Sequence, residues 1–407
     1  MITVYVAEYH RFGGSQRAML GTVRELRARG IQVQVVFPGD GPATDRYRAA
    51  GVPLVVLSTP PSLNRFGGFV LRAGTIEKAR VVAAAVRHSA AVYRHMRSTN
   101  SRILHCNTAR STLMSAAVPR LMGLRTVWHV RAQSDAVGRL VHRACVLLSY
   151  HRVAICEYSM NELPNRARRT TSVIYDGVDV ADCRRRAKST PFVAAEHCPE
   201  GASRTAGSLV MVASLTPFKG HHRLLEALSL VTRATGVEPC AFIVGSASPS
   251  AEVERRYERY LQARSEQLSL HHVHFLGWME DPLACIAASD VVVLPSLDHD
   301  QLSLDGELIE VRGGEAFPAV VLEAMALNRP VVATRNAGIP EQVEDGVTGL
   351  LVDQRADDQL AEAMARLFGD PGLRDRMGVA ALERVRSRFS RSVTVDQLIE
   401  LYGRLAS

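Results

Sequence analysis

The chain has 407 residues, 47% hydrophobic and 22% charged, an ordinary globular balance at a length that predicts two domains rather than one core. No apolar run approaches the roughly 20 residues of a membrane span, and no basic-then-apolar leader precedes the strand-like ITVYVAEY. Charge is lopsided: residues 1–187 carry 28 Lys/Arg against 11 Asp/Glu, a net of +17, and residues 188–407 carry 21 against 30, a net of −9, so the first half attracts anionic partners.

In chain order, short apolar runs alternate with helical periodicity. Strands are predicted at 2–7, 31–37, 53–57, 102–106, 125–130, 152–156 and 171–175, with helices near 15–29, 75–98, 110–122 and 136–149. Strands separated by helices of this length make βαβ units and a parallel sheet. Gly13 and Gly14 fall in the first strand-to-helix turn, where adjacent glycines let backbone N–H groups approach an anion; a plain tight turn fits equally well. FGGSQR is not GxGxxG and no acidic partner follows about 20 residues on, which disfavours a nicotinamide dehydrogenase. In the helix at 75–98, Ile76, Ala79, Val82, Val86, Tyr93 and Met96 share a face expected to be core, with Lys78, Arg80, Arg87, Arg94 and Arg97 largely off it. Docking of that helix on anionic lipid is the alternative. Nucleic acid is disfavoured as a partner, because no recognised motif accompanies the charge.

Residues 180–206 are polar, contain Pro191 and Pro199, and read as a linker between domains at 1–187 and 188–388. The second half repeats the scheme, with strands at 209–214, 240–245, 272–277, 291–296, 330–335 and 349–353 and helices near 219–234, 250–267, 318–327, 355–369 and 371–388. The fold class is therefore α/β, two Rossmann-like doubly wound domains, expected to face a cleft at the carboxyl ends of their strands. The cysteines at 106, 145, 156, 183, 198, 240 and 285 form no CxxC pair, so reduced cytosolic thiols are expected rather than a disulfide framework or a zinc site.

Lys219, in LTPFKGHHRLLEAL, opens a helix, where a cation is out of place with respect to the dipole unless an anion such as a diphosphate shares the site. Only three of the 49 basic residues are lysines, which adds weight to the placement. In Glu315-AFPAVVL-Glu323, Pro318 suits a first helical turn, with Glu315 just before it and Glu323 inside it. Carboxylates so spaced reach different parts of one elongated ligand, while the first-turn amides near Ala319 and Val320 suit phosphates. Asp298-His299-Asp300 is a DxD, whose carboxylates would suit a divalent cation, but its acid-rich loop favours a solvated surface and no metal is expected.

The run FPAVVLEAMALNRPVVATRNAGIPEQVEDGVTGLLV, with VASLTPFKGHHRLLEAL and HFLGWMEDPLACIAASDVVVLPS before it, resembles retaining nucleotide-sugar glycosyltransferases of the GT-B fold, family 4 in particular. GGSQRAML, a strand ending VWHV, and VIYDGVDV extend the likeness through the first half, densest over 207–352, and residues 389–407 resemble the closing helix that packs back on the first domain. The resemblance implies sugar transfer from a nucleoside-diphosphate donor, a UDP-sugar first and a GDP-sugar second, to a hydroxyl acceptor, with no cofactor. The family includes enzymes of bacterial polysaccharide and glycolipid assembly. It implies Lys219 on the diphosphate, Glu315 on sugar hydroxyls, Glu323 on the ribose, Gly13 and Gly14 beside the phosphates, and His129 at the catalytic centre. Leu276 would face the base, and Ser214, Phe317, Ala319 and Val320 would border the donor. The acceptor would be lipid-linked or anionic, and the protein cytoplasmic with peripheral contact at the inner face of the membrane.

Three positions depart from the family pattern. Ala213-Ser214 stand where Gly-Arg is usual, which removes a second phosphate cation, and Asp176 stands for an asparagine. Segment 297–314 is also longer than the shortest family form. An epimerase or phosphorylase on the same fold, and an inactive homologue serving as a partner subunit, are the alternatives.

Overall fold

A computed structural model of the chain describes residues 1–10, 12–60, 63, 74–131, 136–189, 192 and 207–406. It divides into two compact units, Met1–Gly177 with Arg391–Ser407, and Val178–Ser390. The boundary thus falls ten residues before the expected 187. Residues 180–189 are no linker: Val180–Ser189 is a helix of the second unit, with Cys183 buried, Arg184 Nε donating to the Ala326 carbonyl at 3.1 Å, and Arg186 Nε 2.9 Å from Asp281 Oδ2. The expected linker residues 190–191 and 193–206 lie outside the described residues.

The first unit is a seven-stranded parallel sheet: β1 (Ile2–Tyr5), β2 (Val33–Phe37), β3 (Leu54–Val56), β4 (Ile103–Cys106), β5 (Arg125–Val130), β6 (His151–Ala154) and β7 (Thr171–Val173), in the order β3-β2-β1-β4-β5-β6-β7. Period-two alternation sends Ile2 and Val4 to one core and Tyr5 to the other, so both faces of β1 are apolar, as a helix-covered parallel sheet demands. The closing helix Arg391–Ala406 completes the first of these cores with Val395, Leu398, Leu401 and Tyr402. It is also tied to the helix Gly14–Ala28, where Arg29 at the C-cap pairs with Asp396 and donates to Ser392 Oγ at 2.8 Å.

The second unit holds a six-stranded parallel sheet: β8 (Ser208–Val212), β9 (Cys240–Val244), β10 (Val273–Gly277), β11 (Val291–Leu294), β14 (Val331–Thr334) and β15 (Gly349–Val352), in the order β10-β9-β8-β11-β14-β15. In both sheets the order reverses beside the first strand, at β1/β4 and β8/β11. In doubly wound sheets ligands bind outside the carboxyl ends at that switch.

Three expectations need correction. Segment 297–314 is not an open loop. It contains the antiparallel hairpin β12 (His299–Leu304) and β13 (Glu307–Arg312), turned by Asp305 at φ +53° and Gly306 at φ +80°. That is the conformation of a two-residue primed turn, and Asp-Gly is its usual sequence. The helix Thr75–Ser98 buries Val81, Ala84, His88, Ser89, Val92 and Met96, whereas Ile76, Val82 and Val86 are 71%, 60% and 47% exposed. Two polar residues on the inward face hid the true stripe, and both are satisfied: His88 Nε2 lies 2.7 Å from the Tyr5 hydroxyl, and Ser89 Oγ donates to the Ser115 carbonyl at 2.7 Å. Finally, Cys106, Cys145, Cys156, Cys183 and Cys285 form no disulfide, but Cys240 is disulfide-bonded. Among the described residues no helix is long and apolar enough to cross a membrane.

Candidate active site

In the second unit the strand-order switch is built by close backbone approach. After β8 the chain makes a single 3-10 turn, Pro217–Lys219, and Gly220 follows at φ +79°. A Cβ there would lie 2.0 Å from the Pro295 carbonyl oxygen, just beyond β11, so only glycine fits. Leu297 N donates to the Phe218 carbonyl at 2.7 Å, and Phe218 packs so closely on Gly313 that a Cβ would meet its ring at 2.2 Å. The backbone of Lys219 is therefore fixed from two sides.

The Lys219 ammonium forms an ion pair with Glu315, and the two side chains are only 17% and 11% exposed. Ser296 Oγ lies 3.4 Å from the same carboxylate. The main chain of Glu315 is held in turn: its N–H donates to Asn336 Oδ1 at 2.9 Å and its carbonyl accepts from Gly338 N at 3.1 Å. Residues following β8 and β11 thus meet one carboxylate, and a residue following β14 holds the main chain that carries it. Ser296 and Asn336 escaped sequence reasoning, although each sits just past an apolar strand at the carboxyl edge. A lysine and a glutamate this far from water must be paired. An anion that draws Lys219 away would leave Glu315 free to accept from hydroxyls.

Glu315 leads into the helix Ala319–Ala326, capped by Pro318 rather than carrying it in the first turn as expected. No side chain caps this helix. Ala319 is exposed, Val320 half-buried, and Glu323 half-buried one turn further on. Phe317 is buried with its ring centroid 5.6 Å from that of Phe389, so it has a packing partner. Ser214 is exposed beyond β8, its hydroxyl 3.4 Å from that of Thr216, and Leu276 is half-buried in β10. Arg223, the next arginine after Ser214, does not fill the position of the missing cation. Its Nη2 lies 2.9 Å from Asp300 and its Nη1 3.1 Å from Asp357.

That pairing also describes the DxD. Asp300 is buried, with His222 Nε2 at 3.0 Å beside Arg223, and these neighbours hold its carboxyl well below the usual range. Asp298 lies 3.0 Å from Arg355 Nη1. Both carboxylates are engaged by cations of the chain itself.

In the first unit Gly13 precedes the helix Gly14–Ala28 and its N–H donates to Gln16 Oε1 at 3.0 Å. A Cβ at Gly14 would meet nothing within 4 Å, so chain packing does not demand glycine there. His129 is buried near the end of β5 and bonds to His105. Burial, Arg131 and His105 together keep the His129 imidazole well below its ordinary pKa, hence neutral. A cluster that the sequence left unread lies at the same edge of the sheet. Arg131 forms an ion pair with Asp176 and donates through Nε to Asn107 Oδ1 at 3.0 Å. An aspartate at 176 thereby gains a partner suited to its charge.

The sequence model of the family described as glycosyl transferases group 1 matches residues 199–384, and that of the glycosyl transferase 4-like domain matches residues 13–173. The D-inositol 3-phosphate glycosyltransferase of Corynebacterium diphtheriae is 31% identical over 198 residues, 48% of this chain and 42% of the relative. A GDP-mannose-dependent monoacylated alpha-(1-6)-phosphatidylinositol monomannoside mannosyltransferase of Corynebacterium glutamicum is 27% identical over 307 residues, 73% of this chain and 72% of that one. The matches to the first curated relatives span about half of their length, 42 to 51%. Among solved structures, Anabaena HepE in complex with UDP superposes with a TM-score of 0.75 over 99% of this chain and 100% of that one, at 22% identity, a likeness of fold.

Proposed function

The chain belongs to the group 1, family 4 glycosyltransferases of GT-B fold, and from that premise we propose a retaining, metal-independent transfer of a sugar from a nucleoside diphosphate to a hydroxyl acceptor. The observation that carries the proposal is the Lys219–Glu315 pair at the β8/β11 switch. Lys219 binds the donor diphosphate, Glu315 takes up sugar hydroxyls once released, Glu323 holds the ribose diol, and Leu276 borders the base. Ser214, Ala319 and Val320 lie beside the phosphates, and Gly13 and Gly14 are the first unit's own candidates for an anion. Phe317, packed on Phe389, borders the donor. His129 contacts the transferred sugar.

In the reaction the bond from the anomeric carbon to the diphosphate oxygen breaks. The acceptor oxygen bonds that carbon from the same face, and its proton passes to the departing phosphate. Lys219 and the amides of the helix Ala319–Ala326 stabilise the charge that develops there, so the step needs neither a metal nor a separate base. A UDP-sugar is the donor we favour, since HepE binds UDP. A GDP-sugar is the alternative, since a relative is named for GDP-mannose. The acceptor we favour is lipid-linked or anionic, met at a membrane surface through the basic first unit, in polysaccharide, glycolipid or natural-product assembly.

The test is a melting panel of UDP, GDP, TDP and their sugars, without metal and then with Mn²⁺, on the wild type and Glu323→Ala. One nucleotide should raise the wild-type midpoint without metal, and the variant should lose that response. Stabilisation only with Mn²⁺, or by no nucleotide, would overturn the donor-site assignment.

A further inference from the structure

Three side chains of the first unit form one buried row. The Tyr402 hydroxyl, on the closing helix, lies 2.6 Å from His105 Nδ1. His105 Nε2 lies 3.0 Å from His129 Nδ1. His129 Nε2 ends the row, buried and with no hydrogen-bond partner among the described residues.

The protons in this row can be counted. Burial pushes the Tyr402 phenol up and His105 down to about 3, and burial likewise holds His129 well below its ordinary value. At neutral pH the row therefore holds one O–H and one N–H per ring. Two arrangements satisfy both bonds. In one, Tyr402 donates to His105 Nδ1, His105 Nε2–H donates to His129 Nδ1, and the last proton sits on His129 Nε2. In the other, each bond runs in reverse, and His129 Nε2 becomes a bare lone pair. The reverse also strands the Tyr402 O–H, which has no second acceptor among the described residues. It leaves two buried polar groups unmatched where the first leaves one, and such groups are strongly disfavoured. The first arrangement wins, and its one unmatched group is an N–H that a ligand oxygen can complete.

We propose that Tyr402 and His105 are positioning residues that fix His129 as the tautomer protonated on Nε2, so that His129 presents a donor, not an acceptor, to an oxygen of the transferred sugar. The catalytic half of this inference rests on the role given to His129 above. The tautomer half stands on the row alone. The closing helix, remote in sequence, thereby sets the chemistry of a strand residue.

The test is nitrogen NMR of the full chain labelled with ¹⁵N-histidine, His129 being identified by the signal lost in His129→Gln. The wild type should show a protonated Nε2 and a bare Nδ1. Tyr402→Phe keeps the ring but removes the O–H that sets the direction, so the two His129 nitrogen signals should move toward each other. Hydrolysis of the stabilising nucleotide sugar, UDP-glucose being the first probe, should fall about three- to ten-fold in the variant, the loss of roughly one neutral hydrogen bond. A proton on Nδ1 in the wild type overturns the inference, even if the variant fails to fold. So do unchanged His129 signals in a natively folded Tyr402→Phe. Wild-type turnover by His129→Gln overturns instead the role of His129, and with it the catalytic half.

Discussion

Lys219 and Glu315 neutralise each other in a nearly water-free position, and this pairing shows how far single residues can be read. Each could be singled out by its place beside a strand end and a helix start. That they touch, and that Ser296 and Asn336 complete the arrangement, depends on three loops meeting, which no local spacing encodes. A neighbouring residue carries a prediction about stability. Burial, with His222 and Lys219 nearby, pushes His221 down to about 3. Its folded pKa thus lies below the unfolded value near 6.5, so the unfolded chain takes up the proton first and stability falls as pH drops from about 6.5 toward 3. Between pH 7 and 5 this residue should remove about 2 kcal/mol. His221→Asn should flatten that part of the slope in urea unfolding, and an unchanged slope would contradict the assignment.

Among elements, the parallel strands were plain in the sequence because strands buried on both faces are short, apolar and flanked by turns. The hairpin β12–β13 was not, although QLSLDGELIEV alternates about an Asp-Gly turn, because its acidic residues read as a solvated loop. The helix Val180–Ser189 was missed because its mean character is polar and only Cys183 is buried. The inward face of Thr75–Ser98 was misjudged because His88 and Ser89 point in. Gly220 offers a direct test of how tightly the switch is built. Gly220→Ala forces both a left-handed alanine and a clash with the Pro295 carbonyl, and should destabilise the protein by about 3 kcal/mol. Gly236 has nearly the same φ, +70°, but open space around its Cβ position, so Gly236→Ala should lose only about 1 kcal/mol. Chemical denaturation of the two variants checks this, and equal losses would mean that the approach to Pro295 is not tight.

For the whole molecule, the charge split of +17 and −9 was visible at once and lipid docking of the helix at 75–98 was one reading of its sequence, whereas the exposure of Ile76, Val82 and Val86 was not legible. Ile76, Val82 and Val86 project from a helix that also bears Lys78, Arg80 and Arg87, a combination suited to an anionic bilayer. The wild type should co-sediment with vesicles containing anionic phospholipid and much less with neutral ones. Val82→Asp with Val86→Asp should weaken sedimentation several-fold without lowering the melting midpoint, since neither side chain is buried. Equal sedimentation of variant and wild type would assign the contact to another surface.

The return of the closing helix has a consequence for how the protein is made. Val395, Leu398, Leu401 and Tyr402 complete the core that begins at Ile2, yet the ribosome adds them only after all of Val178–Ser390. The second unit is contiguous and can fold as it emerges, while the first, though translated earlier, must wait with part of its apolar surface uncovered. Synthesis order and folding order are therefore inverted, and a nascent chain stalled before residue 391 would expose an unfinished first unit beside a finished second one.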